Sequence, residues 1–344
     1  MNLTAAARYD HSGDYGGKAT WQSAAQWWLT GRLSLSGGYG RSYQAPQLYQ
    51  ISGPQVAGSA PVDLVDPFRG NQLATYSANF VSGSNFNLKP ETGNSSTLTL
   101  AYVPTSGRGL HASLTWYAID IANYIGFPSA QVLVDNPTLY PGAVSRAPAS
   151  PQDQQQGYLG PITNINSTFY NYGDLHVAGF DADVSYTCDS PIGQLVPSLA
   201  VAQIYKWQSG LTPGSPSIDG VSQATFSGVG WAPRWKGTAS LAWKRGPLSA
   251  NIAGRYIGRY LDYQDYVQNA NEIGNTWIFD AGARYDTSKA SATSSPWLAH
   301  AYVSLTAVNV FNKPPPFSFN PDWYDYHEYD IRGRFLRLSI GARF

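Results

Sequence analysis

The densest chemistry in the chain lies in one stretch, NPDWYDYHEYDIRGR at residues 320–334. It crowds Asp322, Asp325, His327, Glu328 and Asp330 among Trp323, Tyr324, Tyr326 and Tyr329. Carboxylates and an imidazole at that density could position a cation or the polar groups of an organic ligand, and the rings could stack on it. The same composition also suits a solvated loop whose Tyr and Trp rest at a membrane headgroup layer. Both readings stand on sequence alone. Rings recur at Tyr158, Phe169, Tyr170 and Tyr172, and again at Tyr260, Tyr263 and Tyr266. The candidate ligand contacts are therefore Tyr43, Tyr158, Phe169, Tyr170, Tyr263, Trp323, Tyr324 and Tyr326.

Covalent and metal chemistry find little footing. His11, His111, His176, His300 and His327 include no pair at a metal-ligand spacing such as HxxxH. Cys188 is the only cysteine, which excludes an internal disulfide or a cysteine zinc cluster; it reads as a small residue in a turn. No GxSxG elbow or phosphate-cradling glycine loop occurs. The expectation is a protein with no catalytic residues, no metal and no cofactor, and not an enzyme.

What must position the rings is a matter of strands. Charged residues are 13% of the 344, about half the usual share, whereas aromatics are 14%. The formal net charge is zero, which gives no ground for a nucleic-acid partner. No apolar run is long enough for a transmembrane helix. The start, MNLTAAARYD, lacks the charged segment and apolar core of a signal peptide. Period-two alternation dominates. It predicts about twelve strands, near 2–9, 17–25, 30–41, 94–103, 108–124, 171–187, 196–207, 235–243, 247–261, 276–286, 298–311 and 334–344. Short connections (104–107, 187–196, 244–247, 287–297) alternate with long ones (42–93, 126–170, 208–234, 262–275, 312–333).

One face of each clear strand is apolar. At 248–260 it is Leu248, Ala250, Ile252, Gly254, Tyr256, Gly258 and Tyr260, against Ser249, Asn251, Ala253, Arg255, Ile257 and Arg259. Ile257 and Ile278 are exceptions on the polar faces. Strands entering short turns end their apolar face in Tyr102, Tyr186, Trp243, Tyr285 and Phe344, the pattern of a membrane girdle. In lipid every backbone N–H and C=O needs a partner, so a membrane sheet must close on itself. The fold class read from these features is all-β, an antiparallel transmembrane β-barrel with apolar side chains toward lipid. Lumenal Arg255, Arg259, Arg284, Arg337 and Arg343 are expected to pair with Asp181, Asp183 and Asp280, the alternative being partners on a domain that fills the lumen.

Several stretches resemble a known family in order along the chain. GYGRSYQAPQLYQ (38–50) and NFNLKPETG (85–93) look like landmarks that flank an extracellular loop of TonB-dependent outer-membrane receptors. RYDHSGDYGG (8–17), ASLTWYAIDIANYI (112–125), VAGFDADVSY (177–186), VNVFNKPPP (308–316) and RGRFLRLSIGARF (332–344) resemble further family segments. The resemblance implies residues 1–344 as one domain, about twelve C-terminal strands of a roughly 22-stranded receptor barrel, without the plug domain or signal peptide. It implies a Gram-negative outer-membrane location and uptake of a scarce ligand: siderophore-iron, cobalamin or oligosaccharide. The implied partners are outer-membrane lipid, an extracellular small-molecule ligand, the barrel-assembly machinery (reading Phe344), and TonB only through the missing plug. Arg41 and Tyr43 match a landmark and read as packing where strand meets loop. Two alternatives stay open: a passive pore or structural barrel, and a secreted β-rich adhesin.

Overall fold

The computed structural model describes all residues except 14–15, 63, 106, 172, 211–214, 225–229, 264–270, 288–300, 321 and 343–344. Phe344, Arg343, His300, Tyr172, Tyr266 and much of the expected 287–297 turn thus lie outside the described residues.

Alternating residues produce twelve long strands: β1 (Asn2–Ser12), β2 (Gly16–Trp28), β3 (Leu33–Gln44), β4 (Glu91–Tyr102), β5 (Gly109–Ala122) and β6 (Asp174–Ser190), then β7 (Gly193–Gly210), β8 (Trp235–Arg245), β9 (Leu248–Ile257), β10 (Thr276–Asp286), β11 (Ala301–Val308) and β12 (Phe335–Ala342). Each pairs antiparallel with its sequence neighbour, in the order β1 to β12, and Ser217–Asp219 adds to β7 to complete a 13-stranded sheet. β1 and β12 are not paired with each other among the described residues, so the sheet is an open arc of barrel wall.

Register puts like with like. One transverse row runs Leu35, Leu100, Leu114, Ala182, Val201, Gly237, Tyr256, Trp277 across eight strands. Within this row Leu100 is 42% exposed, Leu114 48% and Trp277 43%, and on β12 of the same face Leu338 is 65% exposed and Ile340 77%. A continuous apolar surface of this extent belongs against lipid, not water. The opposite face is polar and bonded to itself. Thr99 and Thr115 hydroxyls lie 2.9 Å apart, Ser198 and Ser240 hydroxyls 2.6 Å apart.

Two aromatic rows bound the apolar band. Tyr102, Tyr186, Trp243 and Tyr285 stand on the apolar face at the short-turn ends, and Trp243 Nε1 donates to the Ile192 carbonyl at 2.7 Å. The second row, at the long-loop ends, is not anticipated by the sequence reading. It includes Trp21 against Tyr39 (5.3 Å), Phe180 against Tyr205 (5.7 Å) and Tyr256 against Trp277 (5.1 Å). Trp235 and Trp243, or Trp277 and Tyr285, are separated by ~26 Å along their strands, or ~20 Å across a membrane at a ~40° tilt. That fits an apolar band ~25 Å tall.

Several strand ends shift by a few residues from expectation, and two of the shifts change a connection. The expected 187–196 turn is shorter, because Cys188, Asp189 and Ser190 stay paired with Leu195, Gln194 and Gly193, leaving Pro191 and Ile192 as the turn. Cys188 therefore lies in a strand, its Sγ 3.7 Å from the Leu195 carbonyl. Gly193, at φ +121°, supplies the backbone freedom that reverses the chain so tightly. The expected 247–261 strand stops at Ile257, and Tyr260–Leu261 pairs instead with Glu272–Ile273 above the wall.

The long connections build their own cores at one end of the sheet. Residues from 45–90 and 123–173 form a four-stranded sheet in the order Val144–Arg146, Ile162–Thr168, Ser77–Gly83, Gln55–Pro61, its middle pair parallel. Leu133, Val134, Tyr140, Ile162 and Ile165 fill its core.

Candidate functional site

Ile257 and Ile278, the apolar exceptions on the polar faces, explain how the last long loop is placed. Both are buried in a core with Ala224, Tyr260, Tyr263, Ile273 and Tyr329. The 312–334 loop is thereby drawn onto the lumenal face of β9 and β10. Two buried carboxylates organise it. Asp325 Oδ2 accepts from the Tyr260 hydroxyl at 3.0 Å, and Oδ1 from the His327 N–H at 3.0 Å. Asp262 accepts from the Ser318 hydroxyl (2.6 Å) and the Phe319 N–H (2.9 Å), joining this loop to the one after β9. Burial pushes the Tyr260 phenol up and raises that of Tyr263 to about 12, so both remain neutral.

The outward side of this loop is open and aromatic. Trp323 stacks on Phe317 with centroids 5.9 Å apart, and Tyr326 lies over His327 at 4.1 Å. Trp323, Tyr326 and Phe317 are exposed, whereas Tyr324 is half-buried against the core. Trp323 sits at φ +62°, a left-handed backbone that costs a bulky residue about 1–2 kcal/mol. Its N–H donates to the Asn320 carbonyl at 2.8 Å and its carbonyl accepts from the Ser318 N–H at 3.2 Å, which hold the turn.

A second aromatic group sits on the loop sheet. Phe169 meets Tyr49 (5.7 Å) and Phe127 (5.4 Å) edge-on, beside exposed Leu48 and Phe86. Below it, Arg146 grips buried Asp66 with two bonds of 2.7 and 2.8 Å. Arg69 bonds Asp153 at 2.8 Å while lying over the Tyr158 ring. The Arg69 guanidinium and the Ser150 hydroxyl and N–H hold the Asp153 carboxyl down to about 2.

The eight expected ligand contacts thus separate. Trp323, stacked on Phe317, and Tyr326, over His327, are both exposed on the 312–334 loop, and Phe169 contributes to the second aromatic group. Tyr170 packs on Tyr140 at 5.2 Å, and Tyr158 covers the Arg69 pair. Tyr263 is only 3% exposed, with its hydroxyl accepting from Trp231 Nε1 at 3.1 Å. As placed, Tyr170 and Tyr263 are packing residues, and each is covered by a ring that lies far away in sequence. Tyr43 is half-buried at the top of β3 opposite Thr92. Phe317, Tyr49 and Phe127 escape the sequence reading; the only signal for Phe317 is its place directly after a proline run.

On the polar face a recess of about 450 Å³ is lined by Asp181, Asp183, Lys236, Arg255 and Glu328. Arg255 pairs with Asp280 at 2.8 Å, Arg259 with Glu272 at 3.6 Å and Arg284 with Asp286 at 3.1 Å. Of the expected lumenal pairs, Arg255 with Asp280 is the one that forms among the described residues. Asp181, Asp183 and Arg337 have no ion-pair partner among the described residues, because none lies opposite them in the register.

Comparison with known proteins decides the family. The family described as TonB dependent receptor-like, beta-barrel, matches residues 1–312. The chain belongs to the TonB-dependent receptor β-barrel family. A mutant of the ferric enterobactin receptor PfeA from Pseudomonas aeruginosa superposes with a TM-score of 0.64 at 19% identity, covering 99% of this chain and 42% of that one. The siderophore receptor PirA from Acinetobacter baumannii gives 0.61 at 14%, covering 98% and 43%. The FrpB iron transporter from Neisseria meningitidis gives 0.58 at 15%, covering 99% and 42%. The chain spans less than half the length of each of these receptors. No curated protein matches it. In this receptor barrel the two landmark stretches are neighbours: Arg41, Ser42, Tyr43 and Gln44 pair with Asn94, Gly93, Thr92 and Glu91, and so bracket the 45–90 loop.

Proposed function

We propose that the chain is part of the wall, with the outer loops, of a Gram-negative outer-membrane receptor that takes up a scarce ligand. Of the siderophore-iron, cobalamin and oligosaccharide classes, siderophore-iron is favoured, because the solved receptors it superposes on carry that description. The observation that carries the reading is the exposed stack of Phe317 and Trp323, on the same loop as exposed Tyr326. Aromatic faces of this kind hold a planar organic chelator by stacking. Tyr102, Tyr186, Trp243 and Tyr285, with Phe344, act as the periplasmic girdle, and Phe344 serves as the assembly signal. Energy reaches the barrel through a plug domain engaged by TonB. The remaining strands of the wall close the open arc.

Two experiments test this. Ligand uptake by cells carrying the intact receptor should vanish when TonB is removed; uptake that persists contradicts the transport mechanism and favours a passive pore. Trp323→Gly relieves the left-handed strain, so the loop should resist protease at least as well as wild type. Ligand affinity should nevertheless fall by roughly tenfold or more, the worth of one lost stacking contact. Unchanged affinity would remove Trp323 from the binding surface.

A further inference from the structure

Residues 312–334 leave the wall at a narrow neck. Asn309 and Asn312 (both φ +52°) and Gly333 (φ +66°) hold left-handed turns, and Asn312 Oδ1 accepts from the Arg334 N–H at 2.8 Å, joining the two arms. Pro314, Pro315 and Pro316 stiffen one arm. Inside the lumen the loop touches strands at two kinds of contact. Tyr329 packs on Ile257 and Ile278 and donates to Thr276 Oγ1 at 3.3 Å. Glu328 reaches Lys236 of β8 at 2.8 Å, with its own side chain 9% exposed and that of Lys236 47%.

We propose that this loop is a gate over the lumen, latched to β8 by Glu328 and Lys236; the inference rests on the barrel reading above. The latch is conditional, since a buried carboxylate is tolerated only while its partner is present. Lys236 faces Glu328 from β8 and Arg255 lines the same recess from β9; Asp181 and Asp183 line it from β6. Asp325, His327, Tyr260 and Tyr329 lie within electrostatic reach of Glu328 from the loops. Burial raises the Glu328 carboxyl above the usual carboxylate range, and Lys236 offsets only part of that. The closed state therefore binds a proton more tightly than the open one. Acid favours closure, and the tendency to open grows as pH rises through the raised value.

The test uses Ala202→Cys, beside Lys236 in the recess, in a Cys188→Ser background of the assembled full receptor. Labelling by a membrane-impermeant maleimide is normalised at each pH to Thr306→Cys, a lumenal position away from the recess. Lys236→Met should raise Ala202→Cys labelling at least about tenfold at pH 8, since Glu328 is then buried without a counter-charge. The increase should shrink as the pH is lowered to 5, and adding Glu328→Gln should abolish it. Where Lys236→Met does not assemble, the exchanged pair Lys236→Glu with Glu328→Lys should stay closed while Glu328→Lys alone opens. Equal labelling with and without Lys236→Met, or a double variant as open as the single one, overturns the gate. Failure of the barrel reading is distinguishable: Thr306→Cys would then label alike in membrane-assembled and unfolded protein.

Discussion

Ile252→Arg should abolish most membrane assembly, whereas Asn251→Arg, one residue away, should leave it almost intact. Ile252 lies on the apolar face of β9, midway between Leu248 and Tyr256, with Leu241 and Ala281 as cross-strand neighbours. It is 55% exposed in the protein alone, so its environment is supplied by what surrounds the barrel. An arginine at the mid-depth of a barrel's lipid face costs about 2–4 kcal/mol, thirtyfold or more in the folded fraction. Asn251 points the other way, into a polar lumen where a guanidinium keeps its water. Unfolding of the receptor from lipid vesicles by urea reads the difference. Equal destabilisation by both substitutions would mean that the two faces of β9 are not distinguished by solvent.

Asp66→Ala should unfold the loop sheet while leaving the strands in place. Asp66 is 1% exposed and holds Arg146 through two charge-assisted bonds. Removing it leaves the guanidinium with only the Gly160 carbonyl at 3.1 Å and the face of Phe68. Breaking a buried pair from one side costs about 3–5 kcal/mol. Because Asp66 lies in one long loop and Arg146 in another, the loss separates two segments that share a core. Protease added outside should cut within 45–90 and 123–173 at least about a hundredfold faster, with heat-modifiable barrel yield unchanged. Asp66→Leu with Arg146→Met should recover much of the protection. Unaltered cleavage in Asp66→Ala would make the pair incidental to the module.

What could be read from the chain was what repeats along it. The alternation of Leu248, Ala250, Ile252 and Gly254 with Ser249, Asn251, Ala253 and Arg255 reports a two-faced strand without reference to any neighbour, and the strands joined by short turns must pair antiparallel. The loop end was opaque for the opposite reason. Ser77–Gly83 and Ile162–Thr168 pair in parallel across two connections, and no local pattern announces such a partner. Tyr263 and Trp323 are equally aromatic, yet Tyr263 is buried beside Trp231 whereas Trp323, stacked on Phe317, stays 68% exposed. Ile257 and Ile278 stand out as exceptions to the polar face, but what buries them is assembled from three separate connections, through Ala224, through Tyr260, Tyr263 and Ile273, and through Tyr329. Cys188 falls inside the expected 187–196 turn, whereas cross-strand pairing carries it into β6.

The central claim is that one face of this sheet meets lipid and the other meets water. Nitroxide labels placed singly at residues 248–257, in the assembled receptor, test it most directly through collision with oxygen and with a water-soluble nickel chelate. Leu248, Ala250, Ile252 and Gly254 should collide with oxygen, and Ser249, Asn251, Ala253 and Arg255 with the chelate, in strict alternation. Chelate access on both faces, or no period of two, would contradict a membrane-spanning wall.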